Sequence, residues 1–98
     1  MTGKDEYVAK VKAQLDEWQE DMERLKESAG AASDDAKAKI ESEIAVLRAK
    51  WDEGHARRQE LLNAADEKWD AIKEKAEEEW DELKVAVKDS IAKIKSHL

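Results

Sequence analysis

Large apolar residues recur along this chain in steps of three and four from Val8 almost to the C-terminus. The first run is Val8, Val11, Leu15, Trp18, Met22, Leu25 and Ala29. It is an unbroken heptad stripe, which predicts a helix over about 5–28, with residues 1–4 as a frayed end. The stripe stops at Ser28-Ala29-Gly30-Ala31-Ala32-Ser33-Asp34-Asp35. Gly30 suits the left-handed position that follows a helix, and Ser33 suits an N-cap. Asp34 and Asp35 oppose the dipole of the next first turn. Residues 29–33 are therefore read as the turn of an αα-hairpin.

The second stripe runs through Ile40, Ile44, Leu47 and Trp51 and weakens at Gly54, His55 and Arg58. Leu62, Ala65 and Trp69 resume it in phase. Trp69, Ile72, Ala76, Trp80, Leu83, Val87, Ile91, Ile94 and Leu98 follow with steps of 3, 4 and 4. That eleven-residue period keeps one stripe on a nearly straight helix. The maintained phase favours one continuous second helix over about 34–96. Glycine in a helix interior costs only about 1 kcal/mol relative to alanine, so Gly54 alone does not end it. The competing reading interrupts the helix near 54–63, with Asn63 capping a third one.

Length turns the pattern into an argument about partners. A first helix of about 25 residues spans ~37 Å, and a continuous second helix ~95 Å. The hairpin partner then covers less than half of the second stripe. Each large side chain left over is worth about 1.5–3 kcal/mol when buried. The expected architecture is one all-α domain over 1–98, a helical hairpin with a short helix 1 and a long helix 2. It self-associates, most simply as a dimer, into an antiparallel coiled-coil or four-helix-type bundle; the alternative is a three-helix bundle with a break near 54–63. The expected interface is Val11, Leu15, Trp18, Met22, Leu25, Leu47, Trp51, Trp69, Ile72, Trp80, Leu83, Val87, Ile91 and Ile94.

Composition strengthens the helical reading: no proline, three glycines and 44% charged residues. With no cysteine, disulfides, thiolate metal sites and cysteine nucleophiles are excluded. No leading apolar run resembles a signal peptide, and no stretch approaches the ~20 apolar residues of a membrane span, so the expected location is the cytoplasm. The net charge of −7 is spread with both signs interleaved. Nucleic-acid binding, which needs a concentrated basic face, is not expected.

Charge placement opens a second function. Lys73, Lys84, Lys88 and Lys95 flank the C-terminal stripe, while most acids of this segment face away from it. Lipid-surface helices share that arrangement, because lysine stems lie along acyl chains and place ammonium groups at phosphates. In a protein bundle the same lysines shield the seam. Trp18, Trp51, Trp69 and Trp80 all lie on the stripes of a chain without phenylalanine. Indole suits boundaries that are half apolar and half wet, as core anchors or at a membrane interface.

Chemistry is sparse. Asp52 and His55 form a single D-x-x-H pair on one helix face, whereas a di-metal bundle site needs Glu-x-x-His on two helices plus further glutamates. Arg57 and Arg58 pair most simply with nearby acids such as Glu53, four residues before Arg57. Anion binding is their minor alternative. The phosphate loop, the nucleophile elbow and H-E-x-x-H are all missing. An enzyme is not expected, nor any cofactor or metal.

Tyr7-x-x-Lys10-x-x-Ala13-Gln14-Leu15-x-Glu17-Trp18 resembles the opening of a group of small bacterial coiled-coil proteins linked to salt and general stress. Trp80-Asp81-Glu82-Leu83-Lys84 resembles their C-terminal repeat, and Gly54-His55-Ala56-Arg57-Arg58 matches no part of it. The resemblance implies a cytoplasmic helical protein of stress physiology with no known catalytic residues. The expected function is a non-enzymatic scaffold or interaction protein acting through oligomeric coiled-coil packing. The alternative is peripheral binding to an anionic membrane surface through the amphipathic helix 64–98.

Overall fold

Heptad stripes must be covered, and here the chain covers its own. A computed structural model describes residues 3–98. Helix α1 spans Gly3–Ala29, α2 spans Asp34–Asn63 and α3 spans Trp69–Ser96, with a short 3-10 turn at Asp66–Lys68 leading into α3. α2 runs back along α1, and α3 returns parallel to α1. The Cα envelope measures 52 × 18 × 15 Å, with a radius of gyration of 15.8 Å. A sphere-like chain of this length would have a radius nearer ~13 Å, so the bundle is a short rod.

The αα-hairpin forms where the sequence places it. Ser33 has extended backbone (φ −63°, ψ 159°), and its hydroxyl accepts from the Ala36 amide. Gly30 departs from expectation, since no glycine among the described residues has positive φ. α1 ends instead by tightening: Ala31 and Ala32 donate to the carbonyls of Ser28 and Ala29. That satisfies terminal carbonyls without a left-handed residue.

The continuous second helix over 34–96 is corrected. α2 passes unbroken through Gly54 and stops at Asn63, the last residue of the 54–63 window, so the chain has the three helices of the alternative reading. Ala64 (φ −71°, ψ 142°) and Ala65 (φ −65°, ψ 141°) are extended and turn the chain. The gain is burial. Folding α3 back places Trp69, Trp80, Leu83, Val87 and Ile94 in the core, where each large side chain contributes about 1.5–3 kcal/mol. That outweighs the few helical hydrogen bonds given up at the turn, each worth roughly 1 kcal/mol net.

The start of α1 is also corrected. The helix is already formed at Gly3, and Lys4 is buried. Its ammonium donates to the Ala64 carbonyl and lies 3.2 Å from an Asp66 carboxylate oxygen. Lys4 thus caps the carbonyl end of α2 with a cation, as the helix dipole favours. Residues 1–2 of the expected frayed end lie outside the described residues.

Two stripe assignments shift by one residue. α2 buries Leu61 and leaves Leu62 44% exposed. Its inner line is Ile40, Ile44, Leu47, Trp51, Gly54, Arg58, Leu61, a heptad sequence that never slips. α3 buries Ser90 and Ile94 and half-buries Ile91, and Leu98, beyond its end, is 54% exposed. After Trp80 the period is therefore seven rather than eleven, which keeps α3 on the heptad seam of its two neighbours.

Candidate functional site

The residues expected at an oligomer or lipid interface converge within one chain. Val11, Leu15, Trp18, Met22, Leu25, Leu47, Trp80, Leu83, Val87 and Ile94 form one buried cluster, with Trp51 and Ile91 packed against it. Trp69 joins Val8 and Leu61 in a second cluster flanked by Ile72. Aromatic pairs hold the α1–α3 seam. The rings of Tyr7 and Trp69 lie 5.3 Å apart, and those of Trp18 and Trp80 stack at 5.2 Å and 25°. Lys73, Lys84, Lys88 and Lys95 stay exposed. Lys84 and Lys88 border a shallow groove over Trp18 and Ile91, together with Val85.

Gly54 sits where the three helices press together. A Cβ built on it would lie 3.0 Å from Leu15 Cδ2, 3.1 Å from Leu83 Cδ2 and 3.2 Å from Trp80 Cζ3. The glycine that weakens the stripe in the sequence is thus a core residue without a side chain. It lets α1 and α3 approach α2 in the second half of that helix.

One turn further along, a cavity of about 260 Å³ opens between the helices. Its apolar wall is Tyr7, Val11, Leu61, Ile72, Ala76 and Trp80, and its charged rim is Arg57, Arg58, Lys75, Glu60 and Glu79. Arg57 is neutralised: it pairs with Glu53 at 3.1 Å and with Glu79 across to α3. The Glu53 hydrogen bond, opposed by burial and helped by the charges of Glu79 and Glu60, holds its pKa above the usual arginine value. Arg58 differs, because no carboxylate of the described residues lies within ion-pair distance of it. The Nε atoms of both arginines are sealed from solvent without an acceptor. A buried donor left unmade costs about 1–3 kcal/mol. Tyr7 closes one end of the cavity by donating its hydroxyl to the Ala76 carbonyl at 3.1 Å.

The D-x-x-H pair is otherwise engaged. Asp52 lies 3.5 Å from Arg48 Nε, and the His55 ring stacks on Trp51 at 5.3 Å. Sequence reading passed over the cavity because it took Arg58 as an interruption of the stripe. Continuing the heptad count from Leu47 through Trp51 and Gly54 puts Arg58 on the inner line, and that signal was available. No protein-family model, curated protein or solved structure matches the chain.

Proposed function

We propose that the chain is a non-enzymatic helical scaffold that assembles by exchanging α3 between copies. The observation that carries this reading is the connection at Ala64–Ala65. Alanine is the strongest helix former, and no glycine or proline lies between Asn63 and Trp69. Local preference here favours helix, while packing imposes a turn. When the two alanines become helical, α2 and α3 join into one rod in the phase the sequence maintains. α3 then makes its contacts on a second copy's α1 and α2. The product is an antiparallel dimer built from contacts already present in the monomer, the usual physics of a domain swap. The resemblance of the Tyr7–Trp18 and Trp80–Lys84 segments to stress-linked coiled-coil proteins supports a cytoplasmic, stress-associated role for such an assembly.

Sedimentation after unfolding and refolding over a concentration series tests it. Dimer should grow with refolding concentration in the wild-type chain and be lost in Ala65→Pro, since proline inside the joined helix costs about 3 kcal/mol or more. A wild-type chain that refolds only to monomer at every concentration overturns the proposal.

A second reading uses the same released helix on a lipid surface. Val85, 60% exposed between Lys84 and Lys88, favours it, because an apolar residue between snorkelling lysines suits an interface. Tryptophan emission that moves to the blue on adding anionic vesicles supports this reading, and emission indifferent to vesicles removes it.

A further inference from the structure

Arg58 occupies a position that the heptad of α2 reserves for an apolar side chain. It lines a cavity whose wall includes Leu61, Ile72 and Trp80. Its Nε is buried without an acceptor, as is that of Arg57. Arg57 has its carboxylates; Arg58 and Lys75 have none within ion-pair distance among the described residues. A site with a predominantly apolar wall and a few convergent charges has the make-up of a small-molecule pocket.

We propose that this cavity binds a small amphiphilic monoanion, a medium-chain carboxylate. Its headgroup lies between Arg58 and Lys75, and its chain lies on Leu61, Ile72 and Trp80. Three features select this class. The guanidinium fork of Arg58 offers parallel N–H donors that match a carboxylate. Glu60 and Glu79 stand on the same rim, so a single negative charge is accommodated and a dianion is repelled. The volume of about 260 Å³ far exceeds the roughly 10–15 Å³ that one ordered water needs, which leaves room for a medium-length alkyl chain beside the headgroup. The site exists in the closed monomer and does not depend on helix exchange.

Calorimetric titration of the full chain with octanoate, octanol, acetate and octyl phosphate tests the site, with Trp80 as an optical reporter on its wall. Octanoate should saturate at one per chain. Octanol lacks the charge, acetate lacks the chain and octyl phosphate brings a second charge, so each should bind at least tenfold more weakly. Arg58→Leu completes the apolar line of α2 and should weaken octanoate at least tenfold while the bundle stays folded. Lys75→Gln changes an exposed side chain and should weaken octanoate severalfold, giving an independent reading should the first variant fold poorly. Octanol binding as well as octanoate, octyl phosphate binding more tightly, or unchanged octanoate affinity in either folded variant overturns the proposal. So does octanoate uptake without saturation.

Discussion

The indole N–H of Trp51 donates to the main-chain carbonyl of Leu15 at 2.8 Å, bridging α2 to α1 from a half-buried position. The indole face is occupied as well: the Arg48 guanidinium sits 5.0 Å from its centre and the His55 ring stacks on it. One side chain thus satisfies its polar edge in the interior and its faces at the surface, the division of labour for which indole is suited.

Trp51→Phe keeps the ring and removes the donor. The Leu15 carbonyl retains its own helical hydrogen bond, so no acceptor is orphaned. The expected loss is about 1 kcal/mol, read from urea unfolding midpoints. A loss above about 3 kcal/mol would mean the ring packs more deeply than its half-burial indicates.

Gly54→Ala sets helix propensity against crowding. Alanine gains about 1 kcal/mol in a helix interior, and a methyl at 3.0–3.2 Å from Leu15, Leu83 and Trp80 gives back a similar amount. Near-neutral stability is expected for alanine. Gly54→Leu should lose about 1–3 kcal/mol in the same unfolding assay. A stabilised Gly54→Leu chain would show that the three helices do not meet there.

Ala65→Pro discriminates between a turn and a continuous helix by the sign of its effect. Ala65 has φ −65°, Ala64 before it is extended, and the Ala65 amide makes no backbone hydrogen bond. Proline fits all three conditions and should stabilise by about 0.4–1 kcal/mol through the unfolded chain. In calorimetry the melting temperature should rise; a fall of many degrees is the signature of a helix running through this point.

Lys4→Met keeps the stem and removes the ammonium that caps α2. Asp66 is 89% exposed on its side chain, so the ion pair adds little. The contact to the Ala64 carbonyl dominates, and about 1 kcal/mol should be lost. Because this contact holds the Ala64–Ala65 turn, the refolded dimer fraction should rise in the same variant.

Tyr7 supplies a pH dependence. Burial, reinforced by the charges of Glu77 and Asp81, pushes its pKa from 10.0 to about 12. The folded chain prefers the neutral phenol, so this contribution is complete below about pH 10 and is lost as pH rises toward 12. Tyr7 is the single tyrosine, and its phenolate absorbance titrates it directly. Tyr7→Phe should flatten that part of the stability profile; an absorbance midpoint near 10 in the folded chain refutes the burial argument.

The stripe of α1, that of α3 apart from Ser90 and Leu98, the Ser33 cap and the all-helical class were legible because they are periodic or local. What the sequence hid depends on contacts between distant residues. Gly54 looked like a gap, since a core position filled by neighbouring side chains leaves no apolar letter of its own. Leu61 and Leu62 differ only by which face the heptad of α2 turns inward, and resuming the stripe through Leu62, Ala65 and Trp69 selects the wrong one. The turn at Ala64–Ala65 carries no breaker residue, and Lys4, its support, lies at the far end of the chain.

The Tyr7–Trp69 and Trp18–Trp80 pairs span the longest sequence separations among the ring contacts. Indoles stacked at 5.2 Å are close enough for their electronic transitions to couple, and that coupling vanishes when α3 leaves α1. The seam is therefore its own chromophore. Near-ultraviolet circular dichroism reads the docking of the last helix onto the first without any label, separately from the backbone signal, which registers helix whether docked or free.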